Sequence, residues 1–187
     1  MTDAELVRKH YKLRCTEAKA AVGGGGMSKG AINFSKDNEY YTPKQIMEMF
    51  GSFEYDPATT KEKAEEFGVK AYDTIETDGL KSDWTLYNSI WCNPPFTIKH
   101  EFLKKAQDYF DRTGGGVYML VPIEFLTTKR FHSICKGATI FLPNGRIKFE
   151  SGLGRNSKSP AFGSVVIKLA KRWSIQPIDI SGIDYGK

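Results

Sequence analysis

Four consecutive residues, Asn93-Pro94-Pro95-Phe96, have the types and spacing that chemistry on a nitrogen atom requires. Two prolines in series cannot continue a strand and keep the preceding residues out of the helical region, so they predict a rigid loop. The side-chain carbonyl of Asn93 is an acceptor, and the prolines offer no amide donors to the backbone carbonyls beside it. Two acceptors at one point suit a planar NH2 group, and Phe96 offers a face for stacking a flat ring. The structural alternative is a Pro-Pro turn that caps a buried strand.

Such a loop would favour attack by the amino nitrogen on a methyl carbon. When both hydrogens are accepted, electron density on the nitrogen rises and its lone pair is held in line for the reaction. The pattern therefore indicates methyl transfer to a planar amino nitrogen.

Three further polar segments have spacings that suit a bound ligand. In Tyr41-Thr42-Pro43, Thr42 is a candidate N-cap and Pro43 a helix start, and a helix N-terminus can receive a carboxylate. Asp56 follows a short apolar segment and could accept hydrogen bonds from ribose hydroxyls or an ammonium group. Asp78 lies in a loop and could accept from an adenine amino group. Each segment alone has an ordinary alternative as a cap or a turn.

The elements that must position these residues follow from the apolar pattern. Helices are predicted from residue 42 to about 50 and at 61–67 and 100–110, and strands at 53–56, 70–74, 87–92, 117–121, 138–142, 146–149 and 164–170. Strands that alternate with helices and then follow one another predict an α/β fold with a mostly parallel sheet and an antiparallel edge strand. The turn 143–145 predicts a hairpin between the strands that flank it. Asn93 then lies at the carboxyl end of a central strand, where open α/β sheets bind ligands.

The bulk composition favours a single soluble domain in a reducing cytoplasm. The chain has 187 residues, no apolar segment near the roughly 18 residues of a membrane span, and no signal-like N-terminus. Its three cysteines form neither a disulfide framework nor a CxxC metal site, so no metal is predicted. A helix over 3–21 and a glycine linker at 23–26 predict an N-terminal segment, 1–35, before a domain at 36–187.

The positive charge is concentrated in the second half of the chain. Between Glu124 and Arg172 there are ten basic and two acidic residues, so this segment carries +8, while the whole chain carries +5. Such an excess is typical of a surface that binds phosphates, although a merely solubilising surface would look the same.

The motifs taken in order resemble the phage-type DNA adenine-N6 methyltransferase family. The matching segments are NEYYTP, FEYDPAT, DGL, WCNPPF, LVP, GRIKF and AFGSVV, over roughly residues 38–170. The resemblance implies a Rossmann-like class I S-adenosylmethionine methyltransferase fold and methyl transfer from S-adenosylmethionine to adenine N6 in DNA. The cofactor-binding residues it implies are Tyr41, Thr42, Pro43, Asp56, Pro57, Ala58 and Asp78, and the catalytic ones are Asn93, Pro94, Pro95 and Phe96.

One motif of the resemblance has no assigned role, and one segment departs from the pattern of many S-adenosylmethionine enzymes. Arg146 and Phe149 match a family motif, GRIKF, to which we assign no role. The segment after Asp56 has no glycine, whereas many S-adenosylmethionine enzymes have a glycine-rich loop there; the phage-type family often lacks it as well.

DNA is the predicted macromolecular partner, with the target base flipped out of the duplex. Lys129, Arg130 and Lys158 are the candidates for phosphate contacts, and Arg155 is the candidate for reading a base. The same loop chemistry also serves cytosine N4 in DNA and amino groups in RNA. A non-catalytic DNA-binding protein that kept the fold is the alternative from another class, but it would not need the intact Asn93–Phe96 segment.

Overall fold

The computed structural model describes residues 40–151 and 162–184 of the chain. The predicted N-terminal helix, the glycine linker and the loop residues Arg155 and Lys158 lie outside the described residues. None of the helices in the described part of the chain has the length and apolar character needed to cross a membrane.

Helices and strands alternate through the first half, and strands dominate the second. The helices are α1 (Lys44–Glu48), α2 (Lys61–Phe67), α3 (Lys99–Thr113) and α4 (Lys129–Ile134), with 3-10 turns at Trp84–Leu86 and Ile123–Thr127. The strands are β1 (Tyr40–Tyr41), β2 (Tyr55–Asp56), β3 (Ala71–Tyr72), β4 (Ser89–Cys92), β5 (Gly116–Pro122), β6 (Ala138–Pro143), β7 (Glu150–Ser151), β8 (Ser164–Leu169) and β9 (Ser174–Ile178).

The main sheet has seven strands in the order β3-β2-β4-β5-β8-β6-β9. Strands β3, β2, β4 and β5 are parallel, β8 is antiparallel to both β5 and β6, and β9 is parallel to β6. The predicted α/β fold with a mostly parallel sheet is therefore confirmed. The antiparallel strand, β8, lies between β5 and β6. After β5 the chain passes through α4 and enters β6, which runs in the same direction as β5. A separate antiparallel pair joins β1 to β7.

Local signals account for the helix boundaries. The α2 helix begins after Thr60, whose hydroxyl accepts a hydrogen bond from Lys63 N at 3.3 Å, and it ends at Gly68 with a φ of 69°. A left-handed residue at this position favours glycine, which has no Cβ to clash. The predicted bounds 61–67 are therefore confirmed.

Strand β4 is buried on both faces of the sheet. Ile90, Trp91 and Cys92 are fully buried, as expected where helices or other segments cover both sides of a parallel strand. Helix α3 packs on one face through Phe102 and other apolar residues, and α1 covers the other face together with Phe149. The Asn93–Phe96 segment thus continues from a strand that is enclosed on both faces.

The predicted hairpin around 143–145 was wrong. Residues 146–149 form no strand, and β6 pairs with β8 and β9 instead. Ile147 and Phe149 are buried in the core, so the alternation that resembled a strand comes from two side chains packed on the sheet. The turn itself is held by Asn144, whose Oδ1 accepts a hydrogen bond from Ile180 N at 3.0 Å.

Strand β9 was not predicted, since its sequence lacks an apolar alternation. It pairs on one side only, its side chains are mostly exposed, and it contains Pro177. Proline is tolerated on an edge strand because an outward-facing position there needs no amide donor.

Candidate active site

The Asn93 segment lies at the carboxyl edge of the parallel strands. Strand β4 ends at Cys92 between β2 and β5, so Asn93 is the first residue beyond a central strand, as the sequence predicts. Pro94 is buried, whereas Asn93 and Phe96 are half-buried. This edge is where open parallel sheets place ligands.

The segment is held rigidly at its far end. Ile98 N donates to Pro95 O at 3.0 Å, and Lys99 Nζ donates to Phe96 O at 2.6 Å. The Phe96 ring meets Phe162 edge-to-face, with ring centroids 5.2 Å apart. A loop fixed in this way can present its polar atoms in one orientation.

Asp56 ends the neighbouring strand, β2. Tyr55 pairs with Ile90, which brings the Asp56 carboxyl beside the end of β4. Asp56 is 2% exposed, and within the described residues the hydrogen bond to its carboxyl comes from Ala58 N at 3.0 Å. Burial raises the pKa of Asp56 to about 7, because one amide donor offsets little of the cost of removing the charge from water.

This carboxyl has acceptor capacity that the described residues leave unfilled. An ionised carboxylate offers about four lone-pair sites, and a buried one is stable only when donors occupy them. A ligand with hydroxyl or ammonium donors would supply them. Cys92 lies close by, and its thiol pKa is raised by burial and by the charge of Asp56. Cys92 is fully buried, which is typical of a packed thiol.

Asp73 is a second acid at this edge, and the sequence analysis missed it. It directly follows β3, is 7% exposed, and accepts a hydrogen bond from the Tyr55 hydroxyl. Its backbone N–H donates to Asp56 O at 2.9 Å, which ties the two strand ends together. The signal was available, since Asp73 is an acid in the last two residues of the predicted strand 70–74, much as Asp56 ends the predicted strand 53–56. Burial and Asp73 raise the pKa of Tyr55.

The predicted capping role of Thr42 was wrong. Pro43 is extended, with ψ 135°, so α1 begins at Lys44 and Thr42 lies one residue too early to cap it. The Thr42 hydroxyl is buried and has no hydrogen-bond partner in the described part of the chain. Tyr41 lies in β1, and Lys63 Nζ of α2 is 5.7 Å from its ring centroid. The Tyr41-Thr42 segment thus lies beside the helix that follows the Asp56 turn.

The Asp78 loop closes onto the Asp56 turn. Asp78 is 2% exposed, has a φ of 62°, and accepts a hydrogen bond from Leu80 N at 3.3 Å. Gly79 is required here because a Cβ on it would lie 2.1 Å from Pro57 O. The close approach of these two backbones brings Asp78 to the same edge as Asp56.

The residues at this edge fit S-adenosylmethionine by the chemistry of their donors and acceptors. The ligand carries an ammonium group, two ribose hydroxyls and an adenine amino group, all of which donate hydrogen bonds. The edge offers buried acceptors in Asp56 and Asp73, the Asp78 loop, and the unpartnered hydroxyl of Thr42.

The basic segment divides between two ends of the molecule. Lys129 and Arg130 begin α4 on the side of the Asn93 loop, where Arg130 contacts Glu101 of α3 at 3.2 Å. Because β8 runs antiparallel to β5, Lys171 and Arg172 come after its end, at the opposite side of the sheet. These two basic pairs therefore lie at opposite edges of the sheet, and the phosphate contacts of Lys129, Arg130 and Lys158 stay a prediction.

Other predicted residues have structural roles. Phe149, of the GRIKF motif, is a core residue, and Arg146 is exposed. His100 packs edge-to-face on Phe125, and burial, with Arg130 and Lys99 nearby, lowers its pKa to about 4. A histidine in this environment is neutral near neutral pH and packs as an aromatic ring.

Comparison with known proteins gives one family. A family model described as DNA N-6-adenine-methyltransferase (Dam) matches residues 32–184. The match spans both described ranges and all of the candidate site. No curated protein matches the chain.

Proposed function

We infer that this chain, which belongs to the DNA N-6-adenine-methyltransferase (Dam) family, methylates adenine N6 at a specific site in DNA with S-adenosylmethionine as methyl donor. One observation carries the proposal. The Asn93–Phe96 segment and the buried Asp56 carboxyl lie at the ends of adjacent parallel strands. A planar amino group and a methyl donor bound at these two points would be neighbours.

In this proposal Asn93 and the backbone carbonyl after it hold the amino group of the flipped adenine. Each would accept one of the two hydrogens, so the nitrogen lone pair would point out of the plane of the amino group and would stay free for the methyl carbon. Electron density on the nitrogen rises as both hydrogens are held. The new bond from the nitrogen to the methyl carbon would form as the bond between that carbon and the donor's sulfonium sulfur breaks, leaving a neutral thioether, and one of the two hydrogens would then pass as a proton to water.

Phe96 would stack on the base, and the rigid loop would keep the base in place. The edge-to-face contact with Phe162 leaves the orientation of the Phe96 ring well defined. Base stacking on an aromatic ring contributes about 1–3 kcal/mol. This contribution offsets part of the unstacking cost when the base leaves the duplex.

Asp56, Asp73, Asp78 and Thr42 would hold S-adenosylmethionine, with Tyr41, Pro43, Pro57 and Ala58 shaping the same pocket. When bound, this cofactor supplies an electrophilic methyl group. The acidic residues would neutralise its positive charge and exclude water from the reacting atoms. A buried carboxylate suits both tasks because its ionised form is energetically costly in the free protein and is stabilised by a cationic ligand.

The proposed reaction is tested by expressing the chain in cells that lack adenine methylation. DNA is digested to nucleosides and examined for N6-methyladenine by mass spectrometry, with Asn93→Ala as the impaired control. We expect N6-methyladenine with the wild-type chain and far less of it with Asn93→Ala. N4-methylcytosine would indicate the same loop chemistry on another base, and label in RNA a different nucleic acid. Binding of S-adenosylmethionine without transfer to any nucleic acid would indicate the non-catalytic alternative.

We propose that Lys129 contacts a phosphate beside the flipped base. Replacing Lys129 by glutamine should weaken DNA binding with little regard to sequence and reduce the log–log salt slope by about one unit. Arg130 should contribute less, because Glu101 already pairs with it. The measurement is DNA affinity by fluorescence anisotropy at several KCl concentrations.

Lys171→Gln is the matched control, since Lys171 is equally exposed but lies at the opposite side of the sheet. Its salt slope should equal that of the wild type. Equal slopes for all three proteins would remove Lys129 from the DNA-facing surface. Arg155 and Lys158 remain proposals for base and phosphate contacts.

A further inference from the structure

We propose that α3 positions both ligand-binding loops through two lysines: Lys99 holds the Asn93–Phe96 loop, and Lys105 holds the Asp78 loop. The proposal rests on the proposed function, because it assigns the first loop to the amino group and the second to S-adenosylmethionine. Both lysines are positioning residues, since each contacts backbone atoms of a loop.

Lys99 is fixed on both sides. Its ammonium group donates to Phe96 O at 2.6 Å and lies 5.2 Å from the centroid of the Phe125 ring. Phe125 is itself 2% exposed, so the lysine ammonium group packs against a core side chain as well as bonding to the loop. Burial also lowers the pKa of Lys99. A lysine with this environment stabilises one conformation of the loop that precedes it.

Lys105 makes two contacts to the other loop. Its ammonium group donates to Leu80 O at 2.7 Å and to Ser82 O, and it lies 5.7 Å from the Trp84 ring. The Trp84 indole N–H donates to Gly79 O at 2.9 Å. Lys105 and Trp84 therefore fasten three backbone carbonyls of the segment that begins at Asp78.

The two lysines lie six residues apart on one helix. Six residues correspond to about 9 Å along the axis, which lets a single rigid element reach two separate loops. Lys104, between them, differs: its side chain is 67% exposed and pairs with Asp108 in the next turn. The intervening lysine is therefore a matched control on the same helix.

The test compares Lys99→Met, Lys105→Met, Lys99→Arg and Lys104→Met. Methionine keeps the length and apolar stem but removes the donor, whereas arginine keeps a donor. We expect Lys99→Met to lower kcat about 10- to 100-fold, with the Kd of S-adenosylmethionine within twofold of wild type, because a small misplacement of the acceptor loop is costly. Lys99→Arg should recover most of kcat. Lys104→Met should match the wild type.

Lys105→Met should affect the binding of S-adenosylmethionine more than it affects kcat. We expect the Kd of S-adenosylmethionine, measured by calorimetry, to rise about tenfold, because two backbone carbonyls of the Asp78 loop lose hydrogen bonds from a charged donor. Its kcat at saturating S-adenosylmethionine should fall less than that of Lys99→Met. Hydrogen exchange in the free protein should speed up in residues 78–84 for Lys105→Met and in residues 96–98 for Lys99→Met.

Unchanged kinetics and unchanged exchange in either variant would overturn the proposal for that lysine. Equal losses of kcat and affinity in both variants, together with a lower Tm, would show a merely structural role and overturn it for both. Failure of the proposed function is distinguishable, since it appears in the wild-type chain as absent adenine methylation. The exchange measurement needs neither ligand.

Discussion

Replacing Asn93 by alanine should lower the rate of methyl transfer by about 10²- to 10³-fold and leave the affinity for S-adenosylmethionine within twofold of wild type. The reason is positional. Asn93 is the first residue beyond β4, on the loop assigned to the amino group, whereas the acids assigned to the cofactor lie at the ends of β2 and β3 and in the Asp78 loop. Loss of one positioned acceptor affects the reacting nitrogen and not the methyl donor. The measurement is single-turnover transfer from labelled S-adenosylmethionine, with affinity measured separately by calorimetry.

Asn88→Ala is the matched control for this variant. Asn88 precedes the same strand at its opposite end, is exposed, and bonds to the Glu54 carboxylate. Its replacement should change transfer by no more than twofold. If Asn93→Ala turns over at a near-normal rate while Asn88→Ala does the same, the role assigned to Asn93 is wrong.

Replacing Asp56 by asparagine should weaken the binding of S-adenosylmethionine about 10- to 100-fold and also change how the stability of the free protein depends on pH. The affinity loss corresponds to removal of a charge-assisted hydrogen bond. The change in stability has a separate cause, which is the cost of ionising a carboxyl that is 2% exposed.

The sign of the stability effect follows from the two pKa values of Asp56. Burial raises the folded-state pKa from 3.8 to about 7, so between these values the folded chain holds a proton that the unfolded chain has lost. This group therefore makes the free energy of unfolding fall as the pH rises from about 4 to about 7, with no further change above. Between pH 5 and 7 the fall amounts to about 2–3 kcal/mol. In Asp56→Asn this contribution is absent.

The measurement is urea unfolding of both proteins at pH 5 and pH 8 without ligand. Asp83→Asn is the control, because Asp83 is exposed and the hydroxyl and amide of Thr85 lower its pKa, so it stays ionised throughout this range. The free energy of unfolding of Asp56→Asn minus that of the wild type should be larger at pH 8 than at pH 5. For Asp83→Asn this difference should be the same at both pH values. Parallel pH profiles for all three proteins would contradict a buried, proton-holding Asp56.

Features that depend on neighbouring residues were predicted from the sequence alone. The bounds of α2 follow from the Thr60 cap and from Gly68, and the loop after β4 follows from two prolines that no strand or helix accommodates. The alternation of apolar segments predicted the mostly parallel sheet, because each segment needs one buried face and βαβ connections bury strands on both. The order of motifs predicted the family that the comparison then identified.

Features that depend on partners distant in the chain were decided only by the tertiary structure. The spacing of Ile147 and Phe149 is the same in a strand as in an irregular segment packed on a sheet, so no local rule separates the two. Asp73 lies beside Asp56 because β3 pairs with β2, and the basic segment divides between two edges of the sheet because β8 reverses direction. Lys105 reaches the Asp78 loop across 25 residues of sequence. The physical reason is common to all: local sequence determines which conformations a segment can adopt, while strand pairing and burial determine which distant groups each segment meets.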